Sequence, residues 1–147
     1  MITSTTIEEE LSKYGSCASR VRGNSMRPLL LHERDAVFLK KSAEVKKYDV
    51  VLYKNNDTRY VLHRIIKIKG DTLIIRGDNT YAKEYVRRED ILAVLDSYTR
   101  RGKHKSVNDS SYKLYSRVWC LIYPLRRCGV AIRRALSRVY HSLFKKK

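Results

Sequence analysis

Three residues of this chain have the types that acyl-transfer chemistry needs: Ser25, His63 and Asp78. A serine hydroxyl is a poor nucleophile until a neighbouring base takes its proton, and that base needs a third group to fix its tautomer. Ser25 lies in Gly23-Asn24-Ser25-Met26-Arg27-Pro28-Leu29, where a flexible Gly-Asn pair and a proline-stiffened turn can hold a hydroxyl out toward a substrate. The chain has four histidines. His104 and His141 fall in a basic tail, and His32 follows an apolar Leu run with no acid positioned to orient it. His63 lies inside a long β-pattern, Arg59–Ile68, with an acid across from it.

The elements that would position this set are short strands. Gly70-Asp71 reads as a two-residue, Gly-first turn joining Arg59–Ile68 to Thr72–Arg76. Lys69 then pairs with Thr72, and an unbroken register carries His63 opposite Asp78 on one face, with Cβ atoms about 4.5–5.5 Å apart. A one-residue slip would send the two to opposite faces. Each residue alone has an ordinary reading. Ser25 is a turn residue, His63 a packed strand histidine, and Gly77-Asp78-Asn79 a common turn.

Around this hairpin the chain reads as mainly β. Thr5 or Thr6 with Glu8–Glu10 and Leu11 predicts a short capped helix ending near Gly15. Ser16–Arg22, Asp35–Leu39, Asp49–Tyr53 and Ile91–Leu95 predict further strands, with a turn at Asn55-Asn56-Asp57. Residues 1–15 are thus an N-terminal helix, 16–100 a small, strongly coiled antiparallel β domain, and 101–147 a basic linker with an amphipathic helical tail. In that tail Leu114, Val118, Leu121, Ile122 and Leu125 recur at helical spacing, as do Ile132, Leu136, Val139 or Tyr140, and Leu143. Pro124 is expected to kink or split the helix.

The motif set adds a family. Gly23–Leu29, Tyr48-Asp49-Val50-Val51-Leu52-Tyr53, Leu62-His63-Arg64-Ile65 and Arg76-Gly77-Asp78-Asn79 resemble, in order and spacing, the motifs of type I signal peptidases. That group shares a serine peptidase superfamily with the LexA-type autoproteases. The His-Arg pair is similar to the branch that uses Ser, His and Asp rather than a lysine base. The resemblance implies Ser25 as nucleophile, His63 as general base and Asp78 as its orienter. It also implies a nucleophile loop of Gly23, Asn24 and Met26, substrate contacts at Pro28 and Arg64, and a leader or export peptide bound as an added strand. No metal or cofactor is implied. Many relatives carry a hydroxyl residue where Gly23 stands, so backbone amides of the loop would bind the oxyanion.

Charge and cysteine usage bound the rest. The 147 residues carry 32 Lys and Arg against 15 Asp and Glu, a formal net charge of +17. Residues 111–147 hold ten of the cations and no acid. Such an excess predicts an anionic partner. An amphipathic helix on an anionic membrane is one reading of the tail; docking on a protein or on the β domain, and nucleic-acid binding, are the others. Cys17, Cys120 and Cys128 are an odd set without metal-ligand spacing, which predicts reduced thiols in a cytosol-facing protein. The polar N-terminus predicts no cleavable signal sequence. The strongly apolar run Val118–Leu125 is far short of the ~20 residues a bilayer span needs. The expectation is a serine endopeptidase in the cytoplasm or peripheral at the membrane. The alternatives are a non-catalytic peptide-binding module of the same fold or a basic nucleic-acid-binding β domain.

Overall fold

Thr6 starts the chain's first helix, α1 (Ile7–Tyr14), with a reciprocal cap. Its side chain accepts from the Glu9 amide, and the Glu9 carboxylate accepts from the Thr6 amide. Gly15, at φ +71°, ends it in the left-handed conformation. This computed structural model describes residues 6–42, 44–55 and 59–144, except for the side chains of 131, 134 and 139–144. The expected cap at Thr5, the centre of the Asn55-Asn56-Asp57 turn and the side chains of Val139, Tyr140, His141 and Leu143 lie outside them.

Eight strands follow: β1 (Ser16–Arg20), β2 (Ala36–Lys40), β3 (Val50–Lys54), β4 (Tyr60–Lys69), β5 (Thr72–Arg76), β6 (Glu84–Arg87), β7 (Ile91–Arg100) and β8 (Lys103–Ser106). They form one curled antiparallel sheet in the order β1-β2-β7-β3-β4-β5-β6, with β8 added to β7. Strand β3 sits mid-sheet and is buried on both faces. Val50 and Leu52 enter one core with Leu29, Leu30, Val37 and Leu95, while Val51 and Tyr53 enter another with Ile65, Leu73 and Ile75. Burial on both faces explains why this run is continuously apolar instead of alternating.

Two expectations change here. The sheet does not stop at Leu95, and the basic stretch after Arg100 is no linker. Arg101 and Gly102, both at positive φ, turn the chain so that Lys103–Ser106 pairs with Ser97–Arg100. The β4–β5 hairpin begins as expected, with Lys69 opposite Thr72 and Ile68 opposite Leu73. A bulge at Ile66 then shifts the register, so that Ile65 faces Ile75 and Arg64 faces Arg76.

Two helices complete the chain, α2 (Ser110–Leu121) and α3 (Tyr123–Phe144), separated at Ile122 with Pro124 in the first turn of α3. Asp109 is the N-cap of α2, but its carboxylate turns back to accept from the Ser106 amide. Tyr112 and Ser116 of α2 are buried against the β domain. Among the described residues no helix is long and apolar enough to cross a membrane. The three cysteines are free.

Candidate active site

Ser25 is carried by an excursion between β1 and β2 that is tied shut at its base. The Val21 amide donates to the Asp35 carbonyl and the Glu33 amide to the Val21 carbonyl. Asp35 is fully buried. Desolvation works against its charge, but Arg34 and the backbone amides of Leu31 and Arg101 more than offset this and hold the carboxyl below its usual range. Met26, Leu29 and Leu30 anchor the loop in the core. Gly23, at φ +86°, opens it in a conformation that favours glycine. The Arg27–Pro28 peptide is cis, and Pro28 is exposed.

The Gly23 amide is not available to an oxyanion, because it donates to His32 Nδ1 at 3.0 Å. The amides of Asn24, Ser25 and Met26 donate to no group among the described residues. They are the backbone donors this loop can offer. The Met26 side chain itself faces the core, and Asn24 is exposed.

Across from Ser25 runs the turn after β5. The Asn79 amide donates to the Ser25 carbonyl at 2.7 Å, and the Asn79 side chain to the Asn24 carbonyl at 3.3 Å. Gly77 therefore sits beside Ser25. A Cβ built on it would stand 3.0 Å from His63 Nε2, 3.0 Å from Ser25 Cβ and 2.7 Å from the Ser25 carbonyl oxygen. Ser25 Cβ and His63 Nε2 thus both approach the position a residue-77 side chain would take, a closeness that only glycine permits here. Ser25 Oγ makes no hydrogen bond among the described residues.

The far side of the His63 ring meets an acid, but not Asp78. Nδ1 lies 2.9 Å from Glu84 Oε1 on β6, and Tyr53, whose hydroxyl donates to the other Glu84 oxygen, lies 3.3 Å from the same nitrogen. A proton on Nδ1 shared with Glu84 leaves the lone pair on Nε2, the nitrogen that faces Gly77 and Ser25. His63 is largely buried. Desolvation depresses its pKa below the usual 6.5, and Glu84, then Asp78, push back by through-space attraction. A cleft of about 550 Å³, lined by Tyr53, Lys54, Lys83, Glu84 and Asp90 among others, opens over the acid.

Asp78 does something else, and the Ile66 bulge is the reason. Shifting the register by one residue turns Asp78 to the face opposite His63, where Arg64 points. Arg64 Nε and Nη2 each donate to an Asp78 oxygen at 2.8 Å. Arg64 also donates to the Tyr48 carbonyl and to Ser116 Oγ, and it has no exposed surface. It therefore offers nothing to a substrate, contrary to expectation. Burial opposes its charge, but the bonds to Asp78 more than compensate.

This pair is sealed by the C-terminal helices. Tyr115 donates to Asp78 Oδ2 at 3.0 Å, and Trp119 Nε1 and Arg126 donate to the Asp78 carbonyl at 2.9 and 3.1 Å. Tyr123 donates to the Tyr81 carbonyl and lies under the Arg76 guanidinium. The turn at 77–80 is thus held on one side by Ser25 and on the other by α2 and α3.

A family model described as Peptidase S24-like matches residues 3–96. The chain belongs to that family. The matched segment runs from α1 into β7 and contains Ser25, His63, Gly77, Asp78 and Glu84. In this Peptidase S24-like protein β8, α2 and α3 lie beyond the match, so the groups that cover Arg64–Asp78 are not part of it. No curated protein matches the chain.

Sequence reasoning missed Glu84, Gly77 and Tyr53. The strand β6 is short and half polar, and Glu84 reaches His63 only because the sheet curls β6 back toward β3. Among the described residues no group of His, Cys, Asp and Glu is placed to hold a metal ion.

Proposed function

We propose that this chain is a serine endopeptidase in which Ser25 is the nucleophile, His63 the general base and Glu84 the acid that orients it. The observation that carries this reading is the close approach at Gly77, where Ser25 and His63 Nε2 both lie beside the glycine while the other ring nitrogen is held by a carboxylate. Ser25 Oγ attacks the scissile carbonyl carbon while His63 Nε2 takes its proton. The oxyanion collects amide donors from 24–26, and His63 then protonates the leaving amine. Water, deprotonated by His63, hydrolyses the acyl-enzyme and frees Ser25. The substrate we assign is a leader or export peptide, bound extended beside the nucleophile loop and cut at a membrane surface in the manner of type I signal peptidases.

The test is to incubate the purified protein with a panel of leader peptides and with a serine-directed acylating probe. Cleavage and labelling that both vanish in Ser25→Ala support the reading. Wild type and Ser25→Ala equally inert to peptides and probe overturn it. A second reading, a non-catalytic module that captures an extended peptide, draws on the missing Ser25–His63 hydrogen bond. It requires peptide affinity that survives Ser25→Ala while no product forms.

A further inference from the structure

The helices α2 and α3 have two faces, and only one is used. The inner face carries Tyr112, Tyr115, Ser116, Trp119 and Tyr123 onto the β domain. The expected apolar stripe is on the other side. Leu114, Val118, Leu121, Leu125, Ile132 and Leu136 are all exposed, Leu121 by 78% and Leu125 by 74%. Steps of four and three residues in α2, and of seven and four in α3, keep them on one face of each helix. A row of large aliphatic side chains this long is rare on a free soluble surface.

We infer that this stripe docks on an anionic lipid bilayer, with its leucines among the acyl chains and the neighbouring cations at the headgroup phosphates. Charge selects this occupant. Residues 111–147 hold ten cations and no acid, and Lys113, Arg117, Arg127 and Arg133 are exposed on the same helices. A second copy packed on the stripe would bring two such surfaces together and repel, whereas an anionic surface attracts them. Because the inner face of α2 bonds Asp78, a docked helix sets the turn carrying Gly77 about one helix diameter, roughly 10 Å, from the bilayer surface. The inference gives the membrane part of the proposed function its residues, and it stands whether or not Ser25 is reactive.

The experiment is co-sedimentation of the full chain with vesicles of phosphatidylcholine alone or of phosphatidylcholine with phosphatidylglycerol, beside sedimentation velocity without lipid. Binding to the anionic vesicles is expected to be about 100-fold or more tighter, to weaken with salt, and to be lost in Leu121→Glu/Leu125→Glu. Both residues are solvent-facing, so that variant keeps the fold by circular dichroism and keeps wild-type labelling of Ser25 by the probe. Equal binding to both vesicle types overturns the inference, as does binding that ignores the double substitution. So does a dimer that the substitution dissociates, or an oligonucleotide affinity that it abolishes. Vesicle binding with an inert Ser25 leaves this inference standing and removes only the peptidase.

Discussion

His63 Nδ1 lies 2.9 Å from Glu84 while Asp78 is bonded to Arg64, so the two carboxylates near this ring should respond differently to mutation. Burial holds the His63 pKa below 6.5, which leaves the base neutral at pH 7. The rate of acylation is therefore expected to rise with pH through a midpoint below 6.5. Glu84→Gln removes an attraction that raises the histidine pKa, so the acid limb should move lower still, while the rate falls about 100- to 10,000-fold with the ring no longer oriented. Asp78→Asn should instead unfold the protein more easily, by about 3–5 kcal/mol, because it strands a buried Arg64 charge. A pH–rate profile and a denaturant titration of both variants decide the matter; a limb that moves up in Glu84→Gln would exclude Glu84 as the partner. The same depressed pKa acts on stability. Above pH 6.5 His63 is neutral folded and unfolded, and below it the unfolded chain takes the proton first, so stability falls as pH falls toward the native value. Gly77→Ala is the complementary probe. Its methyl would meet a backbone oxygen at 2.7 Å and stand between Ser25 and His63, so labelling of Ser25 should drop by about 100-fold or more. Labelling at the wild-type rate would mean that the nucleophile and base do not meet across this glycine.

At the scale of elements, the bulge at Ile66 decides that Asp78 meets Arg64 and not His63. The run Ile65-Ile66 is apolar on both sides of the shift, so the pattern that marks β4 as a strand hides the residue where its register breaks. That is why the strands, the Gly70-Asp71 turn and the placement of Ser25 and His63 were legible in the chain, whereas the pairing of Asp78 was not. Local residue choice specifies turns and strand faces; it does not specify a single extra residue in a ladder, or a curl that brings Glu84 to Tyr53. The tail shows the same division. Its helical period was readable, but which face would pack was not, because the packed face is aromatic and polar and the regular aliphatic face is left in solvent. Tyr115 marks that packed face. Tyr115→Phe leaves one oxygen of a buried carboxylate without its hydroxyl donor and should cost about 1.5–3 kcal/mol, read as a lower denaturant midpoint at unchanged slope. Stability unchanged by this substitution would show that α2 covers Asp78 without supporting it.

Over the whole molecule, the segment that matches the Peptidase S24-like family and the segment that supports its site are not the same. The match ends at residue 96, yet the ion pair behind the turn at 77–80 is covered by side chains from 112 to 126. A basic tail that served only as an attachment could be removed with the β domain intact. Here removal takes the Ser116 bond from Arg64, the Tyr115 bond from the Asp78 carboxylate and the Trp119 and Arg126 bonds from its carbonyl, and it wets a pair whose geometry was set in a dry interior. A chain ending at residue 109 keeps every strand, so the sheet is expected to form, but with stability lowered by at least about 3 kcal/mol from the lost charge-assisted bonds alone. Thermal unfolding of that truncation beside the full chain measures the difference. The turn at 77–80 would lose its outer support while keeping the Asn79 bond to Ser25, so labelling of Ser25 should slow even below the unfolding temperature. Equal melting temperatures and equal labelling rates would show that the S24-like domain stands without α2 and α3. A large loss of both would show that the helices support the turn beside Ser25 through the face opposite the exposed leucine stripe.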